Sequence, residues 1–199
     1  MVAWTTGLLL WCGKKDAAWS IHLFPKEKRL LLFVSLILEG LNLLCCQRKP
    51  VYWILGGAVF AGCLLTACVM DLAEHMVYRY VWIVCGIVEI CWGLTEFLVI
   101  RAEQWISWLL FVGLQQILFA RMYGRADCHA FCICGVRWIL EGGGFELCVI
   151  HMAVSFALLT MVQIFRGNVS GKGKLKQAVP MLPYITVGFW ICMLWMNMG

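Results

Sequence analysis

Long apolar blocks, separated by short polar connectors, constrain the fold of this chain more than any other feature. Of its 199 residues, 63% are hydrophobic and only 14% are charged, whereas soluble domains carry about 25% charged residues. The blocks approach the roughly 20 residues that a helix needs to cross a bilayer core, and they lack the alternation of β-barrel strands. The sequence therefore predicts an all-α, polytopic membrane protein without a sizeable soluble domain.

Seven blocks are predicted to be transmembrane helices, and a less apolar segment precedes them. Residues 1–29 are predicted to form an N-terminal amphipathic and basic segment, in which residues 1–12 are an interfacial helix or a partial span. Residues 30–199 are predicted to form the transmembrane domain. Its expected spans are residues 30–46, 51–70, 77–100, 104–120, 126–140, 145–165 and 181–198.

The distribution of basic residues predicts how the chain is oriented. If successive loops alternate between the two sides of the membrane, one side receives twelve of the 16 lysines and arginines. The positive-inside rule assigns that side to the cytoplasm, and it places Asp71 and Asp127 at the cytoplasmic ends of their helices. Topology thus explains the net charge of +5, and nucleic-acid binding is not expected. The twelve are Lys14, Lys15, Lys26, Lys28, Arg29, Arg79, Arg121, Arg125, Arg166, Lys172, Lys174 and Lys176.

Asp71 and Asp127 are the carboxylates with the clearest chemical interpretation. Asp71 ends the second predicted span, and Asp127 opens the fifth after Gly124. Two carboxyl groups at close range cannot both ionise, so one could activate a water molecule while the other polarises a peptide carbonyl. Because a helix N-terminus favours negative charge by about 0.3–1 kcal/mol, we expect Asp127 to be the ionised base and Asp71 to carry the proton. A glycine turn followed by an aspartate helix cap is the simpler interpretation of Gly124 and Asp127.

Three short segments occur in an order that is typical of one family of membrane proteins. Asp127 ends the segment Gly124-Arg125-Ala126-Asp127, Asp71 precedes Val77-Tyr78-Arg79, and a Pro-x-x-Pro segment at 180–183 enters the last span. Together they resemble the type IV prepilin peptidases, which are membrane aspartic proteases with a Gly-x-Gly-Asp motif. Ala126 replaces the second glycine of that motif, and Tyr78-Arg79 replaces a Pro-Asn pair of the family.

The resemblance implies a fold, a reaction and a set of site residues. It covers about residues 51–198, which would form a six-helix peptidase core. Asp71 and Asp127 would be catalytic, without a metal or another cofactor. His129 stands where the family commonly has lysine. The residues that would contribute to the motif or to the site are Gly124, Ala126 and His129. Glu74, in the polar break after Asp71, could bind a basic leader or tune Asp71, or it could belong to a solvated loop.

The resemblance also implies the substrate and the place of action. Prepilins and pseudopilins carry a short basic leader followed by a hydrophobic helix, and the family cleaves at their junction on the cytoplasmic face of the plasma membrane. The expected partners are this substrate and the lipid bilayer. Many members also methylate the new N-terminus with a cytoplasmic domain that holds paired Cys-x-x-Cys motifs. This sequence contains no such motif, so we expect cleavage without methylation.

The twelve cysteines predict neither a disulfide framework nor a metal site. Most lie inside apolar blocks, where cysteine behaves as a small apolar residue. Cys128, His129 and Cys132 lie close together in the sequence, but Cys134 follows Cys132 too closely to share its face of a helix. Zinc, which is typically held by four ligands, is therefore not predicted. We expect these thiols to pack within the span and His129 to lie in a polar cavity.

Polar residues inside the predicted spans leave two other functions open. Glu39, Glu89 and Glu96 lie in spans, where carboxyl groups are functional candidates by default. They could relay ions in a small ion- or proton-coupled transporter, or they could be neutral groups that bond between helices. Gln115 and Gln116 are expected to form hydrogen bonds between helices. A catalytically inactive membrane interaction protein is the third possibility.

Overall fold

The described part of the chain is entirely helical. In this computed structural model it comprises residues 1–13, 24–47, 49–96, 100–170 and 179–198, with the backbone alone at 94–96, 166–170 and 198. These residues form eight α-helices and one 3-10 turn, with no β-strand among them. The predicted all-α class is therefore confirmed. The helices are α1 (Val2–Gly13), α2 (Pro25–Cys45), α3 (Val51–Glu74), α4 (Arg79–Glu96), α5 (Ala102–Ile117), α6 (Arg125–Leu140), α7 (Phe145–Ser170) and α8 (Leu182–Met198).

Each predicted span contains one α-helix, although several boundaries differ. The spans predicted at 126–140 and 181–198 correspond closely to α6 and α8. α2 begins at Pro25, before the predicted start at residue 30, because proline suits the first helical turn. Glu27 Oε2 also accepts the main-chain N–H of Phe24 at 2.7 Å, which stabilises this helix start.

Met1–Arg101 form one compact unit whose centre is α3. The helices α1, α2 and α4 all pack on α3, and most of its residues are buried. Three glycines of α3 let these neighbours approach closely, as is typical of helix packing in membranes. The contacts are Gly56 with Trp92 of α4, Gly57 with Asn42 of α2, and Gly62 with Thr5 of α1.

Two polar side chains of α4 bond to main-chain carbonyl oxygens of neighbouring helices. The hydroxyl of Tyr80 donates to the oxygen of Leu9 on α1 at 2.8 Å. The indole N–H of Trp92 donates to the oxygen of Tyr52 on α3 at 2.7 Å. A carbonyl oxygen has two lone pairs, so these bonds join the helices without removing their internal hydrogen bonds.

Ala102–Gly199 form the second compact unit, in which α6 packs on α5, α7 and α8. On the α5 side, the indole N–H of Trp108 donates to the oxygen of Cys132 at 3.1 Å. Between α7 and α8, Nε2 of His151 donates to the oxygen of Ile185 at 2.9 Å. The imidazole of His151 is fully buried and contacts the rings of Phe131, Trp138 and Phe189.

Two helices in the described part are long and apolar enough to cross a membrane: Val51–Glu74, which is mostly buried, and Phe145–Phe165, which is mostly exposed. In contrast, α5 and α6 have 16 residues each and reach only about 24 Å, below the roughly 30 Å of a bilayer core. The arrangement of seven spans stays a prediction. Lys14, Lys15, the lysines of 172–176 and the side chain of Glu96 lie outside the described residues.

The helices expose large apolar side chains while several polar side chains are buried. The exposed faces of α2 and α5 include Phe33, Leu36, Ile37, Ile106, Leu109 and Leu110. The buried polar side chains include Thr6, Asn42, Gln115, His151 and Ser155. Apolar faces of this extent mark contact with lipid or with another protein, so the exposed surfaces agree with a membrane location.

Replacing Gly62 by alanine should destabilise the first unit. A Cβ at this position would lie 2.7 Å from Cβ of Thr5 and 3.2 Å from the main-chain oxygen of Val2, so α1 would have to shift. We expect the free energy of unfolding, measured by denaturation in detergent, to fall by about 1–3 kcal/mol. In the matched control Gly86→Ala, nothing lies within 4 Å of the new Cβ, and stability should stay equal or rise by up to about 1 kcal/mol. Equal losses in both variants would contradict this packing.

Candidate functional site

Asp71 lies in the last turn of α3 and is buried. His75 ends this helix with a left-handed backbone, at φ 52° and ψ 28°. Its N–H donates to the main-chain oxygen of Asp71 at 3.1 Å, as in an αL helix cap. Histidine is among the few non-glycine residues that are enriched in this conformation. Asp71 therefore lies at a helix C-terminus, where the helix dipole disfavours a negative charge.

Glu74 is half-buried in the same last turn of α3. The hydroxyl of Tyr78 donates to Oε2 of Glu74 at 3.4 Å, and the rings of Tyr78 and Tyr80 lie 6.1 Å apart. Tyr78 lies directly before Arg79, which begins α4. Tyr78 thus bonds to an acidic side chain that shares the last turn of α3 with Asp71.

Asp127 lies in the first turn of α6, and Gly124 is the N-cap of this helix. The main-chain oxygen of Gly124 accepts the N–H groups of Asp127 and Cys128, at 3.1 and 3.2 Å. The carboxylate folds back towards the N-cap, since a Cβ added at Gly124 would lie only 3.2 Å from its Oδ2. The unpaired N–H groups and the dipole of a helix N-terminus favour a carboxylate at this position.

The space beside Gly124, and not its backbone conformation, explains why this residue is small. Its φ of −61° and ψ of 151° are accessible to any residue. A side chain there would compete with the Asp127 carboxylate for the same space. Ala126 is half-buried in the same turn, so both small residues of the predicted motif flank the start of α6.

His129 follows Asp127 on α6 and is exposed. Its Nδ1 lies within hydrogen-bonding distance of the main-chain oxygen of Arg125, so the ring bonds to its own helix. The neighbouring thiols of Cys128, Cys132 and Cys134 are buried. Across the described residues, no group of three or more His, Cys, Asp or Glu side chains is arranged to hold a metal ion.

Tyr123, which the sequence analysis did not identify, lies directly before the motif. Its hydroxyl donates to Oε1 of the buried Gln115, and its ring contacts those of Phe119, Phe131 and Phe156. Burial, and after it the neighbouring Cys128 thiol, raises the pKa of Tyr123, so the hydroxyl keeps its proton at neutral pH. The sequence gives no signal for this role, because tyrosines near helix ends are common interfacial anchors.

Ionisable side chains other than the predicted site residues are also buried. Arg137 of α6 pairs with Oε1 of Glu141, the C-cap of that helix, at 3.2 Å, and Glu89 is buried in α4 of the first unit. Nδ1 of His151 has no hydrogen-bond partner in the described part of the chain. Burying ionisable groups costs free energy, and within a membrane such groups are functional candidates.

Asp71 belongs to the first unit and Asp127 to the second, each at one end of a helix on which the other helices of its unit pack.

Comparison with protein families, curated proteins and solved structures finds no match to this chain. The resemblance to the prepilin peptidases therefore depends on the sequence motifs alone, and membership of that family stays a prediction.

Asp127→Asn should leave the second unit folded. Asparagine keeps the size of the side chain and its ability to accept hydrogen bonds, and it removes the negative charge, whose interaction with the helix dipole is worth about 0.3–1 kcal/mol. We expect the free energy of unfolding in detergent to fall by no more than about 1 kcal/mol. Glu146→Gln, in the first turn of α7 beside Gly144, is the matched control, and its free energy of unfolding should fall by a similarly small amount. A loss above about 3 kcal/mol for Asp127→Asn alone would contradict a simple helix-end carboxylate.

Proposed function

We propose that this protein is a membrane-embedded aspartic endopeptidase of the prepilin peptidase type. Its substrates are type IV prepilins or pseudopilins, in which a basic leader precedes a hydrophobic helix. The observation that carries the proposal is the placement of the two motif aspartates, Asp71 at the C-terminal end of a buried helix and Asp127 at the N-terminal end of another. Opposite helix ends bias the two carboxyl groups towards opposite protonation states.

In the proposed mechanism the two aspartates share one proton and one water molecule. Ionised Asp127 removes a proton from the water while protonated Asp71 donates a hydrogen bond to the scissile carbonyl oxygen. The water oxygen attacks the carbonyl carbon to form a tetrahedral intermediate. Asp127 then passes the proton that it took from the water to the leaving amine, and the C–N bond breaks. The leader is released with a new carboxylate, and the pilin with a new N-terminus.

The residues around the aspartates hold the substrate in this proposal. Gly124 and Ala126 leave room for the substrate backbone beside Asp127. Glu74, which Tyr78 orients, attracts the basic leader. His129, exposed on α6, offers a further polar contact.

The proposal places the chain in the plasma membrane with seven spans, of which the six in residues 51–198 form the peptidase core. Two helices of crossing length and the apolar exteriors of α2 and α5 support this location. Both aspartates lie on the cytoplasmic side, where a prepilin carries its leader.

Reporter fusions test the proposed topology. Alkaline phosphatase needs disulfide bonds and is active only outside the cytoplasm, so we expect no activity when it is fused after His75 or Gly124. Fusions after Arg101 or Gly142 should be active, because the connectors there are assigned to the outer side. A green fluorescent protein at the same four positions should give the opposite pattern. Phosphatase activity after either His75 or Gly124 would contradict the cytoplasmic site.

Removal of a prepilin leader tests the proposed reaction. The wild-type protein, co-expressed with a prepilin that has a basic leader and a hydrophobic helix, should release the leader, as seen by a mass shift of the pilin. Asp71→Asn and Asp127→Asn should each lower the rate by at least about a thousandfold, since each removes one half of the acid–base pair.

Glu146→Gln is the control for this experiment, because it removes an exposed carboxylate at another helix start. It should cleave within about twofold of the wild-type rate, the range of a surface substitution. Cleavage that survives in either aspartate variant would refute the proposed pair. Each comparison requires equal amounts of folded protein in the membrane.

An ion- or proton-coupled carrier is the second candidate function, and the buried ionisable groups favour it. The side chains of the Arg137–Glu141 pair and of Glu89 are buried, and within a membrane such groups can relay ions. A carrier would leave the prepilin leader intact in the wild type and in both aspartate variants. It would instead acidify or alkalise the interior of reconstituted vesicles, and Glu89→Gln would abolish this flux.

A further inference from the structure

We propose that Gln115 and Tyr123 are positioning residues for Asp127 and that together they fix the start of α6. The consequence for catalysis rests on the proposed peptidase function, whereas the structural part concerns the second unit alone. Neither residue belongs to the Gly124–Asp127 motif. Their role follows from the contacts that they make on the two sides of that motif.

Tyr123 is held by both its ring and its hydroxyl. Its ring centre lies 5.7 Å from that of Phe119, 6.0 Å from that of Phe131 and 5.6 Å from that of Phe156. These three neighbours come from the 3-10 turn, α6 and α7 respectively. The hydroxyl donates to Oε1 of Gln115 on α5. The residue directly before Gly124 therefore has a fixed side chain at the point where the chain enters α6.

Gln115 is fully buried, and its side-chain amide and main-chain oxygen all have partners. Oε1 accepts from Tyr123, and Nε2 donates to Sδ of Met152 on α7 at 3.3 Å. The main-chain oxygen accepts the thiol of Cys128 at 3.5 Å. Because Gln115 lies in the last turn of α5, helix geometry leaves that oxygen without an N–H partner in its own helix. The thiol of Cys128 donates to this oxygen instead.

Gln115 thus contacts the chain on both sides of Asp127. Tyr123 precedes the motif, and Cys128 directly follows the aspartate. Between them, the oxygen of Gly124 accepts the N–H groups of Asp127 and Cys128. Tilting the first turn of α6 would break one of these contacts, and buried hydrogen-bond networks rigidify the elements that they join.

Loss of the Tyr123–Gln115 hydrogen bond should release this turn and displace the Asp127 carboxylate. A catalytic group that moves by a fraction of an ångström loses its alignment with water and with the carbonyl, which lowers turnover. The substrate leader and its hydrophobic helix would still bind. The expected signature is therefore a lower kcat with an unchanged KM.

Tyr123→Phe and Gln115→Met test the proposal, because each removes the hydrogen bond and preserves the size of the side chain. Tyr184→Phe removes a hydroxyl elsewhere in the second unit. Gln116→Met replaces the exposed neighbouring amide, which donates to Sγ of Cys132 on α6 at the long distance of 3.9 Å. The full-length protein is measured in two ways. Steady-state kinetics follow leader cleavage, and hydrogen–deuterium exchange with mass spectrometry follows peptides that cover residues 121–129.

We expect Tyr123→Phe and Gln115→Met each to lower kcat by about five- to twentyfold, with KM within about twofold, as for the loss of one buried hydrogen bond. Amide exchange in residues 121–129 should become about tenfold faster and exchange in residues 150–160 should not change. The two controls should alter neither readout by more than about twofold. The double variant should be no slower than the slower single variant, because removing both partners leaves no unpaired group.

Three results would overturn the proposal: unchanged exchange in residues 121–129, a raised KM with unchanged kcat, or a double variant whose loss is the product of the single losses. If Tyr123→Phe does not fold, Gln115→Met alone tests the proposal, since it leaves the aromatic contacts of Tyr123 in place. If the wild-type protein releases no leader, the proposed function fails. The exchange measurement then still decides whether Gln115 and Tyr123 fix the start of α6.

Discussion

Within each unit, hydrogen bonds from side chains to the carbonyl oxygens of neighbouring helices hold the helices together. Tyr80 bonds to Leu9 in the first unit, and His151 bonds to Ile185 in the second. Where apolar surroundings exclude water, a donor that loses such a partner has no replacement, so these contacts fix which helix faces lie together. The thiol of Cys128 follows the same rule at the start of α6, and the candidate site is built on this arrangement.

The sequence predicts the helices well where apolar runs end at clear breaks. The limits of α6 agree with prediction because Gly124 and the glycines at 142–144 interrupt the chain on both sides. The predicted start of α2 at residue 30 is wrong, because the basic residues around Lys26 indicate a segment that precedes the helix, whereas α2 begins at Pro25. Pro25 and Glu27 are ordinary signals of a helix N-terminus, and they outweigh the charge of their neighbours.

The candidate site is less predictable from the sequence than the helices are. Motifs identify candidate residues, whereas the packing of the helices determines where those residues lie. Asp71 and Asp127 are identified by their motifs. The predicted hydrogen bond of Gln115 to another helix is confirmed, since its side chain contacts Met152 on α7. The partnership of Gln115 with Tyr123 was not predicted, since no sequence spacing reports a contact between the end of one helix and the connector before the next. It depends on how α5, α6 and α7 pack, which is a property of the whole unit.

All the main neighbours of α3 lie within the first 96 residues of the chain. During synthesis, domains fold from the N-terminus as the ribosome delivers them, so α1 to α4 can assemble while α6 is still unmade. The helices that pack on α3 are then in place before Asp127 has been made. Under the proposed mechanism a nascent or truncated chain holds half of the acid–base pair and is inert, and completion of the second unit is the step that creates a protease.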